Sequence, residues 1–506
     1  MLWPKTFRKG VTPIFLGPKV LAFVFLFFLA IWGWSRAVEV GVSWDEPYQR
    51  SYGEVVYAYV VDGDIGLHTD SERLYGPVIP FGLILAEKIV GTLSDRKGYI
   101  LRHRLTWLLF LGGAGVFFLL ASDLFGNRYL GLLAMLSLVL SPALSSHGFF
   151  NTKDIPFMVG CIVTVYLASK AWVSPGLWAV VVTAIAAGIT TDIRILGVLF
   201  VPILGLLWGR HSWKHAALFF MSYSGAVYLF WPSLWASPLS VFWESMRAMS
   251  HYPWDGTVMY LGFFEYARHL PWHYLFVSMG ITTPLLYLLG AALCLLRFRS
   301  GVSHPSDSAL WVGLLWFFLP LGLILGSGSI VYDSWRHVFF VYPGFVLLST
   351  YGMALLYQQF LKNTKKGRFF GIACLALSWI PVGYFMLREA PLSYVYFNPL
   401  AGHKETLHRR FETDYWGLSY REGLEWVVAH DTRPSVRVWM PHYPGEQSLP
   451  LLTTAEQQKL RLVTDPAQAD YLITTFRWVT SLPPYGALYE KRVGGIPVLR
   501  VYGLSK

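Results

Sequence analysis

Charged side chains are scarce in this 506-residue sequence, where Asp, Glu, Lys and Arg make up 14% and hydrophobic residues 54%. A soluble globular chain averages about 25% charged residues. This number of charged residues is too small to cover the surface of a soluble globular protein of this length. The apolar residues come instead in runs of roughly 17–22, the length that crosses a bilayer core. The sequence therefore predicts an integral membrane protein.

Cysteine is also scarce, and the C-terminal tail lacks a phosphate loop, metal-ligand spacing and a nucleophile elbow. The three cysteines, Cys161, Cys294 and Cys374, lie inside apolar runs, which indicates small core residues rather than a disulfide framework or a zinc site. No internal repeat has a fixed period. The net charge of +11 indicates no nucleic-acid partner, because Lys and Arg that keep loops in the cytoplasm produce the same excess.

The apolar runs predict an all-α polytopic membrane bundle of about eleven transmembrane helices. Lys5, Arg8 and Lys9 precede the first run, which indicates an uncleaved signal anchor with a cytoplasmic N-terminus. The run at 76–93 contains Glu87 and Lys88, so it is assigned as an interfacial or re-entrant helix. The predicted spans are 18–36, 103–121, 128–146, 156–172, 176–192, 194–209, 214–231, 275–296, 309–326, 337–357 and 369–387.

This topology places the C-terminus outside and divides the chain into a transmembrane module, 1–387, and a small extracytoplasmic α/β domain, 388–506. The large outer loops are 37–102 and 232–274, and the basic residues Arg96, Lys97, Arg102 and Arg104 then lie outside. In the tail, Arg421–His430 is a predicted helix. The predicted strands are Val436–Met440, Tyr471–Phe476 and Val493–Tyr502, the last bent at Gly494 and Gly495.

A pair of acidic residues, Asp45 and Glu46, follows the first span in the motif Ser43-Trp44-Asp45-Glu46-Pro47-Tyr48. Adjacent residues of a helix point about 100° apart, so the two carboxylates are expected to have different roles. One acts as a general base and the other binds substrate or metal. The alternative is a solvated loop in which Asp45 caps a helix that begins at Pro47.

A second acidic position, Asp154, lies in Asn151-Thr152-Lys153-Asp154-Ile155-Pro156, in the next outer loop. Two loops on one side of the membrane can converge on a divalent cation (Mg, Mn or Zn), held by Asp154 and Asp45, with Lys153 on a phosphate. The alternative is that Asp154 caps the following span.

A third segment, Tyr332-Asp333-Ser334-Trp335-Arg336-His337, lies at the outer end of a span. Arg336 offers bidentate contacts to a phosphate and His337 a further hydrogen bond, so both are candidate donor-phosphate ligands. The alternative is an arginine that snorkels to the interface.

Asp192 and Arg194 are predicted to form a structural ion pair. Tryptophans around the large outer loop are typical of the membrane interface, although sugar-binding proteins also stack aromatics on pyranoses: Trp231, Trp235, Trp243, Trp254 and Trp272.

Together these segments, over roughly residues 20–430, resemble the GT-C glycosyltransferases that use polyprenyl-phosphate sugars. Protein O-mannosyltransferases and the lipid A aminoarabinose transferase belong to that superfamily. The matching segments are Trp44-Asp45-Glu46, Asn151-Thr152-Lys153-Asp154-Ile155-Pro156, Pro271-Trp272-His273-Tyr274 with Thr282-Thr283-Pro284, and Asp333-Ser334-Trp335-Arg336-His337 with Tyr342-Pro343. Two further segments look like an uncharacterised bacterial branch: Tyr396-Phe397-Asn398-Pro399 and Glu412-Thr413-Asp414-Tyr415-Trp416-Gly417.

The resemblance implies an inverting transfer of a hexosyl or pentosyl group from a polyprenyl-phosphate donor, in the bacterial inner membrane with a periplasmic or extracellular tail. The acceptor is a lipid, a glycan or a protein. Asp45 matches the base and Glu46 and Asp154 the accompanying acids, while Arg336 and His337 lie where the donor phosphate is held. The tail is a single compact unit without the repeats of some relatives, so the acceptor does not carry over.

Two other classes of protein use similar spans. A transporter or flippase of a lipid-linked sugar is expected to have discontinuous helices in two repeated halves. A membrane scaffold that binds a partner through its tail has no need of Lys153-Asp154 and Arg336-His337 in the same compartment as Asp45. A transfer assay on lipid-linked sugars separates all three.

Overall fold

A computed structural model of the protein describes residues 17–92, 94–250, 254–297, 307–358, 364–479 and 482–504. The basic residues Lys5, Arg8 and Lys9 of the predicted signal anchor lie outside these ranges. The chain forms a large helical bundle followed by a small mixed sheet.

The bundle is built from helices of very different lengths. In chain order they are α1 Pro18–Arg36, α2 Glu46–Tyr57, α3 Val78–Val90, α4 Asp95–Phe125, α5 Arg128–Val139, α6 Pro142–Phe150, α7 Asp154–Val173, α8 Leu177–Ile193, α9 Phe200–His211, α10 Trp213–Phe230, α11 Pro238–Ser250, α12 Tyr274–Thr282, α13 Leu285–Leu293, α14 Asp307–Gly326, α15 Tyr342–Leu356 and α16 Lys365–Glu389. A hairpin of β1 Thr257–Tyr260 and β2 Phe263–Tyr266 lies between α11 and α12.

Six helices in the described ranges are long and apolar enough to cross a membrane, or up to eight if each of two bent pairs is one span. This confirms an integral membrane protein, whereas the predicted count of eleven is not confirmed. Two predicted spans are broken: α5 and α6 meet at 66°, and α12 and α13 meet at 118°. Proline begins the second helix of the first pair, at Pro142, and precedes it in the second, at Pro284. A proline there lacks the N–H that a continuous helix needs, so the apolar run cannot stay straight.

The segment predicted to be interfacial, 76–93, contains the 13-residue α3, which is too short to cross the bilayer core. Its acidic residue Glu87 is buried and accepts hydrogen bonds from Arg102 at 2.9 Å and from Arg50 at 3.0 Å. Arg102 is fully buried, so it is a structural ion-pair partner of α3 rather than part of an exposed basic cluster.

Close helix packing in the bundle depends on small residues. Gly290 of α13 and Gly352 of α15 face each other, and a Cβ on Gly352 would lie 2.0 Å from the Gly290 carbonyl oxygen. Small residues let two membrane helices approach closely enough for this contact.

The tail contains α17 Tyr420–His430, α18 Pro444–Gln447, α19 Thr454–Lys459 and a five-stranded sheet. Its strands are β3 Val436–Trp439, β4 Leu460–Leu462, β5 Tyr471–Thr475, β6 Tyr489–Val493 and β7 Ile496–Gly503, in the order β4-β3-β5-β7-β6. β3 is parallel to β4 and β5, while β7 is antiparallel to its neighbours. The α/β tail is therefore confirmed.

One predicted strand, Val493–Tyr502, is corrected by the structure. Gly494 and Gly495 have φ angles of 56° and 92° and form the turn between two antiparallel strands, β6 and β7. Two consecutive residues with positive φ suit a tight hairpin turn better than a bend within one strand.

The tail packs against the bundle through several polar contacts. The side chain of Asn398 donates to the carbonyl oxygens of Gly280 and Thr283 at 2.6 and 2.7 Å, across the break between α12 and α13. The Arg421 guanidinium donates to the Val40 carbonyl oxygen at 3.1 Å, just before the acidic pair. These contacts bring the tail to the same end of the bundle as the first loop.

Candidate active site

A cavity of about 230 Å³ lies where the first loop, the start of α7, the segment before α15 and the tail meet. Carboxylates, cations and aromatic rings line it together. The lining residues are Trp44, Asp45, Tyr48, Glu72, Tyr75, Lys153, Trp254, Tyr332, Asp333, Arg336, Arg477 and Trp478. The structure therefore brings three of the predicted site residues, Asp45, Lys153 and Arg336, to one cavity.

Asp45 immediately precedes α2, but it does not cap that helix. Its backbone is in the helical region and its side chain makes no capping hydrogen bond, so the alternative role as an N-cap is not what the structure shows. The side chain is 35% exposed, the largest value among the cavity's three carboxylates, and its Oδ2 lies 3.6 Å from Arg336 Nη1. This leaves a carboxylate that an incoming molecule can reach.

Glu46 is not brought to the cavity, although it is adjacent to Asp45 in sequence. It is buried, and its Oε2 accepts hydrogen bonds from Ser43 N at 2.8 Å and Ser43 Oγ at 2.9 Å. Its Oε1 lies 2.7 Å from His103 Nε2 on α4. Both oxygens are thus engaged, and Glu46 anchors the turn that carries Asp45.

Asp154 is the first residue of α7, and the Asn151 side chain, not the Asp154 carboxylate, bonds to the backbone at the start of that helix. The Asn151 Oδ1 accepts hydrogen bonds from Lys153 N at 3.1 Å and Asp154 N at 2.8 Å. This leaves the Asp154 carboxylate, which is buried, to form ion pairs with Arg194 and with Arg336 Nη1 at 3.4 Å. Asp154 lies behind Arg336 rather than in the cavity wall.

Arg336 is buried and does not snorkel to the interface. Its Nη1 lies between Asp45 and Asp154, while its Nη2 and Nε lie 3.1 and 3.2 Å from Asp333 Oδ2. The guanidinium carbon also lies 4.7 Å from the centre of the Trp416 ring. One planar cation therefore connects three acidic residues from three separate segments.

Asp333 is held by two arginines and by an unusual backbone turn. Arg477 of the tail is buried, and its Nη2 lies 2.7 Å from Asp333 Oδ1. Asp333 and Ser334 have φ angles of 55° and 63°, a region that costs a non-glycine residue roughly 1–2 kcal/mol. Such strain is concentrated at functional sites, because the surrounding contacts must maintain it.

Arg477 and Glu72 are cavity residues that the sequence analysis missed. Arg477 lies outside the two tail segments that carry the resemblance, so no sequence pattern marked it. Glu72 lies in the first loop, and its Oε2 is 3.8 Å from Lys153 Nζ. The Lys153 ammonium also lies 4.4 Å from the centre of the Tyr75 ring. Burial raises the pKa of Glu72, the nearby Asp45 adds to this, and Lys153 opposes it.

Two predicted roles are corrected by these contacts. His337 does not line the cavity: its Nδ1 accepts a hydrogen bond from Tyr332 N at 3.4 Å, so it supports the aromatic wall instead. Asp192 and Arg194 do not pair with each other. Asp192 accepts a hydrogen bond from Val78 N at 2.9 Å, whereas Arg194 pairs with Asp154.

Aromatic rings form much of the cavity wall. Trp254 and Tyr332 stack with ring centres 3.9 Å apart and planes 12° from parallel, and Trp44 packs edge-to-face on Trp478 at 5.7 Å. Trp254, one of the tryptophans around the large outer loop, therefore lines this cavity. Flat apolar rings beside polar groups suit a sugar ring, which has both apolar faces and hydroxyl edges.

The predicted divalent cation between Asp45 and Asp154 does not fit this arrangement, because the Arg336 guanidinium lies between the two carboxylates. Carboxylate oxygens bind Mg²⁺ at 2.0–2.1 Å, and a shared ion therefore requires that the arginine move. In the ranges that the structure describes, no group of three or more His, Cys, Asp or Glu is placed to hold a metal. The cation remains a prediction, and no step below depends on it.

Glu412 is a buried acid behind the cavity, with Arg477 Nε 3.9 Å from its Oε1. Burial raises its pKa to about 8 from 4.5, although the Arg477 charge opposes the shift. The folded protein therefore holds this proton up to about pH 8, whereas the unfolded chain releases it above about pH 4.5.

The free energy of unfolding should accordingly fall as pH rises from about 5 to about 8, and Glu412→Gln should flatten this dependence, because Gln does not titrate. The midpoint of thermal unfolding, followed by tryptophan fluorescence across this range, measures the effect. Glu405→Gln is the matched control, since Glu405 is an exposed tail residue. Equal pH dependence in wild type and Glu412→Gln would contradict the shifted pKa.

Comparison with solved structures finds a likeness in fold over most of the chain. No family model and no curated protein matches the sequence. ArnT from Cupriavidus metallidurans in the apo state matches with a TM-score of 0.52 and 14% identity over 95% of this chain and 97% of that chain. The same protein bound to undecaprenyl phosphate matches with a TM-score of 0.50 and 13% identity over 96% of this chain and 98% of that chain. An Archaeoglobus fulgidus oligosaccharyltransferase in complex with zinc and sulfate has a TM-score of only 0.46 and 10% identity, over 91% of this chain and 68% of that chain.

The protein has the fold of ArnT, a GT-C glycosyltransferase, which confirms the resemblance at the level of the fold. The likeness covers 95% of the chain and so extends beyond the segment, 20–430, that carries the motifs. At 14% identity it shows a shared fold and does not transfer residue roles.

Proposed function

We propose that the protein is a membrane glycosyltransferase that moves a sugar from a polyprenyl-phosphate donor to an acceptor, with inversion at the anomeric carbon. The observation that supports this most is one cavity in which the accessible carboxylate of Asp45 faces three cations, Lys153, Arg336 and Arg477. A base for the nucleophile and cations for an anionic leaving group are the two requirements of this transfer. ArnT, which has the same fold, was crystallised with undecaprenyl phosphate.

In the proposed step, Asp45 accepts the proton of an acceptor hydroxyl or amine while the acceptor atom forms a bond to the anomeric carbon. The bond from that carbon to the phosphate oxygen breaks, and its electron pair leaves with the lipid phosphate. Attack from the side opposite the leaving group inverts the configuration. The phosphate gains a second negative charge, which Lys153, Arg336 and Arg477 stabilise.

The same cations are paired with protein carboxylates in the structure. Arg336 and Arg477 both contact Asp333, and Lys153 faces Glu72. A donor phosphate therefore competes with these carboxylates for the cations. Glu46 and His337 act as positioning residues in this proposal. Glu46 bonds to Ser43 in the turn that carries Asp45, and His337 bonds to Tyr332, which lines the cavity.

A transfer assay tests the proposed function. Purified protein in lipid nanodiscs is incubated with radiolabelled undecaprenyl-phosphate hexoses and pentoses, and release of undecaprenyl phosphate is measured in the presence of cell-envelope lipid and glycan fractions. Release that depends on Asp45 supports the transferase. Movement of the intact donor across vesicles without bond cleavage would instead indicate a flippase. Treatment with a chelator, followed by Mg, Mn or Zn, tests the predicted cation.

The proposed location is the bacterial inner membrane, with the N-terminus in the cytoplasm and the cavity on the opposite side. Reporter fusions after Lys366 should be cytoplasmic, because Lys365 and Lys366 are basic residues in the first turn of α16, and fusions after Arg421 should be extracytoplasmic. A paired alkaline phosphatase and fluorescent-protein fusion at each site measures this. A cytoplasmic tail would contradict the proposed reaction compartment.

A further inference from the structure

A second and larger cavity, of about 1080 Å³, lies in the tail domain and shares Trp478 with the cavity of Asp45. We call it the tail cleft. The residues that define its chemistry are Arg437, Trp439, His442, Asp470, Thr474 and Trp478.

The tail cleft lies on the face of the sheet that α17 does not cover. Along β3, Val436 and Val438 are buried in the cluster with α17, and the alternate residues Arg437 and Trp439 line the cleft. β5 follows the same alternation: Ile473 joins that cluster, and its neighbours on the strand line the cleft. One face of the sheet thus builds the domain core, and the other presents side chains to a ligand.

The polar groups of the tail cleft carry no net charge. Arg437 forms a two-point ion pair with Asp470, at 3.0 and 3.2 Å. Burial lowers the pKa of His442, and the Arg477 charge lowers it further, which favours the neutral imidazole. A neutral lining with paired donors and acceptors suits an uncharged ligand with many hydroxyl groups, because each hydroxyl both donates and accepts hydrogen bonds.

Trp478 connects the tail cleft to the reaction cavity. Its φ of 56° is unusual for a tryptophan, and its indole Nε1 donates to the Thr257 carbonyl oxygen at 2.6 Å. The residue before Trp478 is Arg477, which pairs with Asp333, and Asp333 in turn contacts Arg336. Trp478 therefore lines both the tail cleft and the cavity of Asp45.

We propose that the tail cleft is a binding subsite for uncharged sugar residues of the acceptor, with Trp439 as a stacking platform. Naming this ligand the acceptor rests on the proposed function. The binding of an uncharged saccharide rests on the tail cleft alone. Flat indole faces pack against the apolar faces of pyranose rings, while Arg437 and Asp470 bond to the hydroxyl groups.

Saturation-transfer NMR on the full-length protein in nanodiscs tests this proposal, with neutral trisaccharides of glucose, mannose, galactose or N-acetylglucosamine as probes. We expect a signal from wild type, binding at least about tenfold weaker in Trp439→Ala, and recovery in Trp439→Phe, because an aromatic face is restored. Tyr485→Ala is the control, since Tyr485 is an exposed tail aromatic outside the tail cleft. An unchanged midpoint of thermal unfolding shows that Trp439→Ala is folded.

Two results would overturn the subsite: no binding of any probe by wild type, or equal binding by wild type and Trp439→Ala. Different results would overturn the proposed function. If the probes bind through Trp439 but the protein never releases undecaprenyl phosphate from a lipid-linked sugar, the tail cleft remains a saccharide site and the transferase is wrong. If transfer occurs and its acceptor KM is insensitive to Trp439→Ala, only the subsite is wrong.

Discussion

Asp45→Asn should lower the transfer rate about 100- to 10,000-fold, the typical cost of losing a general base. The amide keeps the size of the side chain and removes the proton acceptor. Donor affinity should barely change, because the cations proposed to hold the phosphate, Lys153, Arg336 and Arg477, remain. Single-turnover transfer and equilibrium binding of undecaprenyl phosphate measure the two quantities separately.

Stability should also be nearly unchanged in Asp45→Asn, because the Asp45 side chain makes no capping hydrogen bond to α2. Asp154→Asn is an informative contrast. Asp154 is buried and contacts Arg194 and Arg336, so its loss leaves two arginines without a full partner and should reduce stability, donor binding and turnover together. Wild-type turnover in Asp45→Asn would refute its role as the base.

Arg336→Lys should weaken donor binding at least about tenfold even though the charge is kept, because a single ammonium cannot replace the three-nitrogen fork. Nη1 lies between Asp45 and Asp154, and Nη2 and Nε contact Asp333. Arg336→Ala should be more severe. Removing one partner of a buried charge pair costs roughly 2–5 kcal/mol.

Arg268→Lys is the control for the arginine chemistry, because Arg268 forms an exposed ion pair with Asp255 at 3.2 Å. This variant should bind undecaprenyl phosphate as wild type does, since exposed pairs contribute little. Isothermal titration of undecaprenyl phosphate into nanodiscs compares all three variants. Unchanged donor affinity in both Arg336→Lys and Arg336→Ala would remove this residue from the site.

The long helices were predictable because the signal is local. The sequence runs that form α4, α7, α14 and α16 are apolar over the thickness of a bilayer. Membrane insertion depends mainly on the length of such an apolar run. The breaks were harder to predict. Pro142 and Pro284 are visible in the sequence, but whether a proline bends a span or ends it depends on the helices packed around it.

The candidate site shows the same limit at the level of single residues. Asp45, Lys153 and Arg336 were predicted from motifs next to spans, and the structure brings them to one cavity. Glu46 and His337 occur in the same motifs but point to structural partners, because adjacent side chains leave a turn in different directions.

The sequence by itself determined the membrane environment, the helical bundle, the α/β tail and the loops that carry the chemistry. Hydrophobic length, helix caps and strand alternation act over a few neighbouring residues, so they can be recognised without the fold. The tertiary structure alone decided which charges meet. Arg477 pairs with Asp333 from 144 residues away, and Asp154 pairs with Arg194 instead of Asp192. Buried charges need a partner within a few ångströms, and only the packed bundle determines which residue is that close.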